Sequence, residues 1–473
     1  MSISTQHNGG SSQSQICKLG TSRRAWLRNT AMGFGSVALA GIANQDAQAG
    51  PLAVRPTHFA PRAKRVIFLF MQGGQSQMDL FDPKPELNKR DGQEQNKKKL
   101  KGASYPFRRY GRSGMEISSL LPNMGKHADR MCLVRSMYTD SNNHSNAMLC
   151  FHTGSQNFVR PSVGSWVVYG LGTENDSLPG FITIRPTRGH GSRVYSSAFL
   201  PAIYQGSALG NSGIATKNVT FRDLSNSHLS SAQQSQQLQL TQLLNKTHQQ
   251  QTASTPEMEG LIQSYELAFR MQMECPKLFD LSDEPQHILD SYGVDEKSTE
   301  EVGRMCLLAR RFAEAGVRYI QVNHGGWDHH GSIDSGIKRA CGAIDQPISA
   351  LLSDLNQRGL LEDTLIVSSG EFGRTATAEG EGKAAGRGHN AAGFTAWMAG
   401  GGVRGGTCYG ATDELGINAV ENRAHIHDLN ATLLYLLGLD HERLTYRYAG
   451  RDFRLTDLYG NVLTDIVAAG AGV

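Results

Sequence analysis

Directly after a short apolar run, Val317 to Val322, the chain places Asn323, His324, Asp328, His329 and His330 within eight positions. Imidazoles and carboxylates crowded in this way ligate divalent metals. Nitrogen-rich sets suit zinc or manganese, and oxygen-rich ones suit calcium or magnesium. The alternative is a polar turn whose histidines cap backbone groups. Recurrence favours a site. Glu371 and Arg374 follow a second apolar run, Arg387 and His389 stand a little further on, and Asn143, His144 and Ser145 follow a third. The two arginines suit bidentate pairing with a phosphate- or sulfate-like oxyanion, although they could instead neutralise neighbouring glutamates. Asn142 to Gly154 reads as a helix start and its first turns, whose free N–H groups make an anion cradle. Plain capping by Asn143 or Ser145 is the competing reading.

Such residues meet only if the fold gathers strand ends, and in open α/β sheets ligands bind beyond the carboxyl ends of the strands. Continuous apolar runs predict inner strands at Arg65–Met71, Met131–Met137, Val317–Val322, Thr364–Ser369 and Phe394–Met398. Helical spacing predicts helices at Glu301–Ala315, Ala343–Arg358 and His427–Gly438, the last capped by Asp428 and stopped by Gly438. Strand–helix alternation of this kind predicts an α/β fold, a three-layer sandwich with a mostly parallel central sheet. Residues 180–230 read as hairpins or long loops, and 231–256 as a Gln- and Ser-rich helical or flexible stretch. Together they form an insertion at about 180–260. Gly450–Thr456 predicts an edge strand or closing loop. Asp79 and Asp82, after the first strand, are as suited to capping a turn as to binding.

The 473 residues carry 39% hydrophobic and 19% charged side chains with a formal charge of only +4. That balance, with no basic helix or aromatic-interleaved stripe, argues against a nucleic-acid partner. None of the seven cysteines is spaced C-x-x-C, so a structural zinc site is not expected. Cys132, Cys150 and Cys306 lie in apolar runs as buried thiols, and one or two disulfides are open. Arg23-Arg24, the small apolar run Ala31–Ala43 and Ala47-Gln48-Ala49 make residues 1–49 a cleavable signal of twin-arginine type. It predicts passage through the twin-arginine export machinery in folded form, to the periplasm or cell envelope, with no mature transmembrane segment. A Pro-rich linker at 50–63 leads to the main domain at 64–460, and 461–473 form a tail.

The order of these motifs resembles the alkaline phosphatase, sulfatase and cofactor-independent phosphoglycerate mutase superfamily over roughly residues 64–460. Within it, Gly73-Gly-Gln-Ser-Gln, Gly326-Trp-Asp-x-His-Gly331, Glu371-Phe-Gly-Arg374 and Gly450-Arg-Asp-Phe-Arg-Leu-Thr456 resemble a twin-arginine-exported, sulfatase-like family of unknown function abundant in planctomycetes. The resemblance implies an alkaline phosphatase-like fold and a bound divalent metal (zinc, manganese or calcium). It also implies hydrolysis of phosphate or sulfate esters on small-molecule or glycan substrates. It places the nucleophile at His144, or at Ser145 if the turn shifts by one residue. His144 could attack directly, or bind metal and activate water. Asp328, His330, Glu371 and His389 become metal ligands, and Arg374 and Arg387 hold the oxyanion. Three departures bear on this. Gln72 stands where the superfamily has a ligating Asp, Gly370-Glu371 replaces an Asp-His pair, and the formylglycine signature is absent. One ion, held mainly by Asp328, His330 and His389, is therefore expected rather than two. A catalytically degenerate member that binds sulfated or phosphorylated glycans is the alternative.

Overall fold

A computed structural model describes residues 51–187, 191–221, 229–251 and 256–469. The signal expected at 1–49 lies outside the described residues. Every residue of the first strand, β1 (Arg65–Met71), is buried, which requires cover on both faces. β2 (Met131–Tyr138) leads through a short loop into α1 (His144–Thr153), and a second helix, α2 (Val163–Leu171), follows. Phe68 and Phe70, two positions apart on one face of β1, pack on Phe151 of α1 at ring-centroid distances of 5.5 and 6.0 Å. Burying an aromatic ring of this kind contributes about 1.5–3 kcal/mol.

The sheet then gains β3 (Phe181–Ile184) and β4 (Ser207–Leu209), and the long helices α3 (Ser231–Gln251) and α4 (Pro256–Phe279) follow. Next come α5 (Glu300–Glu314), β5 (Tyr319–His324), α6 (Ile333–Gln357) and β6 (Thr364–Ser369). A separate hairpin of β7 (Gly373–Glu379) and β8 (Gly386–Asn390) precedes β9 (Phe394–Ala399), β10 (Thr407–Tyr409), β11 (Ala424–His425) and α7 (Ile426–Leu436). Strand order in the main sheet is β10-β2-β9-β6-β1-β5-β3-β4, with β11 also beside β2. Only β9 runs antiparallel to the rest, so the fold is α/β with a mostly parallel central sheet.

Four details differ from expectation. The 180–230 region contributes β3 and, at the sheet edge, β4 as parallel strands, with Ile182 opposite Ser207, rather than hairpins. Helix α6 begins ten residues before the predicted Ala343. Glycines at 336 and 342 weaken its local signal, but burial of Ile333, Ile337, Cys341 and Ile344 overrides that weakness. Helix α2 is apolar nearly all round and so carries no amphipathic pattern to read. Helix α7 is capped by the side chain of His425, which accepts from His427 N. Asp428 closes the capping box by accepting from His425 N at 2.7 Å. Cys132, Cys150, Cys275, Cys306, Cys341 and Cys408 are all free, so no disulfide forms among the described residues.

Candidate metal centre

Because β1, β2, β5 and β6 share one direction, their last residues, Met71, Tyr138, His324 and Ser369, lie along the same edge of the sheet. The loops beyond them carry the candidate residues. His144 is the first residue of α1, and the Asn143 side chain caps that helix by accepting from Ser145 N and Asn146 N at 3.0 and 3.3 Å. The helix start therefore spends these amides on its own cap, which corrects the expected anion cradle. Asp328 and His330 lie in the loop after β5. Arg374, Glu379, Arg387 and His389 ride on the β7–β8 hairpin, where Arg374 pairs opposite His389. Gly73, at φ +112°, lets the loop after β1 pack against this region, since a Cβ there would fall 2.6 Å from Asp328 N.

Three imidazoles converge on one carboxylate. His144 Nε2 stands 3.2 Å from Asp328 Oδ2, while His330 Nε2 and His389 Nε2 stand 3.0 and 3.2 Å from Asp328 Oδ1. One ligand atom from each of these four residues lies within 4.8 Å of all the others. The outer ring nitrogens are each held. His389 Nδ1 donates to the Asn142 carbonyl at 2.7 Å, His330 Nδ1 meets Glu379 Oε2 at 2.6 Å, and His144 Nδ1 meets Glu371 Oε1 at 2.6 Å. A carbonyl only accepts, so the His389 proton sits on Nδ1; Glu379 and Glu371, as acceptors, hold the outer nitrogens of the other two rings in the same way. Rings that carry only that outer proton turn three Nε2 lone pairs toward one another and toward an anionic carboxylate. His330 Nε2 and His389 Nε2 are only 2.8 Å apart, and the buried His144 Nε2 has no hydrogen-bond partner. Electron-rich atoms at these distances repel unless a cation lies among them. The residues present fit a metal ion.

Glu371 is fully buried behind His144 and accepts from Gly73 N at 3.0 and 3.1 Å. It stands behind His144 and outside the four-residue group, whereas the sequence reading places it among the ligands. Arg387 is also fully buried. It is paired with Asp79 at 2.8 Å and donates to the carbonyls of Gly102 and Thr375. With its donors spent inside the protein it cannot clasp a substrate oxyanion, so that expectation is corrected. Arg374 donates to Asp328 Oδ1 at 2.6 Å and to the carbonyls of Gly73, Gly74, Arg387 and Trp327. It too faces protein rather than solvent and serves to hold Asp328. Burial raises the Asp328 pKa, but the Arg374 hydrogen bond and charge outweigh it and leave the carboxyl at about 2. Burial lowers His389, helped by the Arg374 charge. For His144 the hydrogen bond and charge of Glu371 overcome burial and raise it.

A family described as Protein of unknown function (DUF1501) matches residues 63–467. The chain belongs to the DUF1501 family. No curated protein matches it. Among solved structures, this DUF1501 chain is similar to the lipoteichoic acid synthase LtaP from Listeria monocytogenes. Identity there is 10%, with 85% of this chain and 78% of that one covered and a TM-score of 0.36. It is similar to the PsFucS1 sulfatase from Pseudoalteromonas sp. at 13% identity, covering 86% and 72%, with a TM-score of 0.37. It is similar to the alkaline phosphatase from the Antarctic bacterium TAB5 at 11% identity, covering 79% and 98%, with a TM-score of 0.31.

Two partners of the DUF1501 centre escaped sequence reasoning: Glu379 and the Asn142 carbonyl. The period-two run Arg374-Thr-Ala-Thr-Ala-Glu379 was the available signal for Glu379, since it marks the strand that carries it. At the ends of β1 and β6, Gln72 donates to Thr187 Oγ1 at 3.2 Å, and a Cβ on Gly370 would meet the Met71 carbonyl at 2.9 Å. Neither position contributes to the four-residue group.

Proposed function

We propose that the protein is an exported hydrolase of phosphate or sulfate esters that works at a single divalent ion. What carries the reading is the set of three Nε2 atoms meeting at Asp328, each on a ring whose outer nitrogen is already held. Three nitrogens and one carboxylate suit zinc, or manganese after it, and disfavour calcium, which takes oxygen ligands. His144, His330, His389 and Asp328 would hold the ion, which moves His144 from nucleophile to ligand. When bound, the ion supplies a Lewis acid for the ester oxygen and for the charge that develops on the leaving group.

The side chains of Asp328 and His330 are each 45% exposed, so the centre opens to solvent and accepts a bulky ester. Arg374 keeps Asp328 ionised and in place. Ser145, exposed on the first turn of α1 beside His144, is the candidate side-chain nucleophile, with solvent water as its competitor. Loss of turnover in Ser145→Ala would select the hydroxyl. Among the described residues no helix is long and apolar enough to cross a membrane. Together with the twin-arginine signal read from the sequence, this supports an exported protein. The deciding experiment pairs elemental analysis of the purified protein with a panel of aryl phosphates and sulfates. About one zinc or manganese per chain with metal-dependent hydrolysis is expected. Neither metal nor turnover would overturn the proposal.

A degenerate glycan binder is the second reading, favoured by the ligand-free ends of β1 and β6. Saturable binding of a sulfated polysaccharide that survives Asp328→Ala, with no product formed, would select it.

A further inference from the structure

The loop from Thr139 to Asn143 serves the metal centre on one account, since the Asn142 carbonyl orients His389. Its earlier residues line a second place. Tyr138 and Asp140 form part of a cavity of about 710 Å³ that also takes in His425, His427 and Tyr459. That volume lies within the range of small-ligand sites, roughly 300–1,000 Å³. Asp140 and His144 are four residues apart, so their Cα atoms are at most about 14 Å apart.

Three observations describe what this cavity is built to hold. It offers aromatic faces: Tyr459, 64% exposed, stacks on His427 at 5.3 Å and 28°, and Tyr138 meets His425 edge-on at 4.9 Å. It offers a carboxylate: the Asp140 side chain is half exposed, 3.3 Å from His425 Nε2. Its frame is preset, because Asp428 accepts from the backbone N–H groups of His425 and Asn461 at 2.7 Å each.

The charge pattern narrows the class further. Arg454 pairs with Glu442 at 3.0 Å and Arg423 lies over the Tyr138 ring at 4.3 Å, and among the described residues no lysine or arginine lines the cavity to draw a phosphate or sulfate. Burial holds His427 neutral at about 4, so it adds no positive charge. A metal is disfavoured as well. His425 Nδ1 accepts from His427 N at 3.2 Å, so in the neutral ring the proton sits on Nε2, facing Asp140. Aromatic faces flanked by a half-exposed carboxylate match a ring that is apolar on its C–H face and hydroxylated at its edge.

We infer that this cavity is a subsite for a neutral sugar ring of a glycan whose ester lies at the metal centre. The catalytic half of that statement rests on the hydrolase reading; the binding half does not. The test therefore uses the full chain stripped of metal with EDTA, so that binding and hydrolysis are read separately. Saturation-transfer NMR is recorded with cellobiose, lactose, maltose and chitobiose in turn. At least one disaccharide is expected to receive saturation on its ring protons. Its affinity should weaken about fivefold or more in Tyr459→Ala and in Asp140→Asn, and Tyr459→Phe should retain it. Asp328→Ala should bind the same sugar as the unaltered protein does. Tyr459 and Asp140 are exposed, and an unchanged circular dichroism spectrum verifies that the variants fold. Transfer to none of the four sugars overturns the inference, as does binding undiminished in both weakened variants. Occupation by benzylamine in preference to every sugar also overturns it, since that would make the cavity an amine site. Sugar binding without ester hydrolysis in the metal-loaded protein would leave the binding half standing and remove the hydrolase reading with the catalytic half.

Discussion

Two groups of histidines flank the loop after β2, and they are wired in opposite ways. In one, each outer nitrogen is fixed by an acceptor at 2.6 or 2.7 Å and the inner nitrogens share Asp328. In the other, His425 turns a proton-bearing nitrogen toward Asp140, and His427 keeps a buried nitrogen with no partner. Both contain imidazoles near a carboxylate, and only the first has its lone pairs aimed at one point. The difference lies in where the surrounding acceptors fix the protons, not in residue composition.

The most damaging change to the first group should be Asp328→Ala or His330→Ala. Bound metal should fall from about one per chain to a trace, and ester hydrolysis should fall about a thousandfold or more. His427→Ala should leave metal content unchanged, and if it also strips the ion the contrast between the groups collapses. Next in size is Arg387→Met, which leaves Asp79 buried without its partner and should cost about 3–5 kcal/mol in urea unfolding. A raised KM with unaltered stability would return Arg387 to the substrate. Glu379→Gln should weaken metal affinity about 10- to 100-fold by loosening His330, while Asp140→Asn should leave it unaffected. Competition with a fluorescent chelator measures both.

The smallest effect concerns pH. The folded-state pKa of His427, about 4, lies below the ordinary histidine value of 6.5, so the unfolded chain takes up the proton first. Its neutral burial is therefore tolerated fully above about pH 6.5, and stability drains away as pH falls toward 4. Between pH 7 and 4.5 this should amount to about 1–3 kcal/mol in the metal-free protein. His427→Gln should flatten the slope, and an unchanged slope would place the titrating group elsewhere, with His127 and His324, both also lowered to about 4, as the candidates.

The strands were largely legible because continuous apolar runs have few other uses. Thr364–Ser369 and Arg65–Met71 form over the residues expected. The site was legible only as an inventory. Asp328, His330 and His389 do come together, but a sequence does not reveal which nitrogen of His144 faces a buried glutamate. Nor does it show that Arg387 lies wholly inside the protein, because that depends on Asp79, 308 positions earlier. Helix α2 stayed hidden for the opposite reason: its pattern is uniform, and uniform burial has no period.

The hairpin of β7 and β8 bears on how the centre is put together. It supplies His389 itself, the carboxylate that steadies His330 and the guanidinium that clamps Asp328. Lifting that one ribbon would disarm three of the four ligands together. The four-residue group therefore depends on one ribbon keeping its place, as a unit rather than residue by residue.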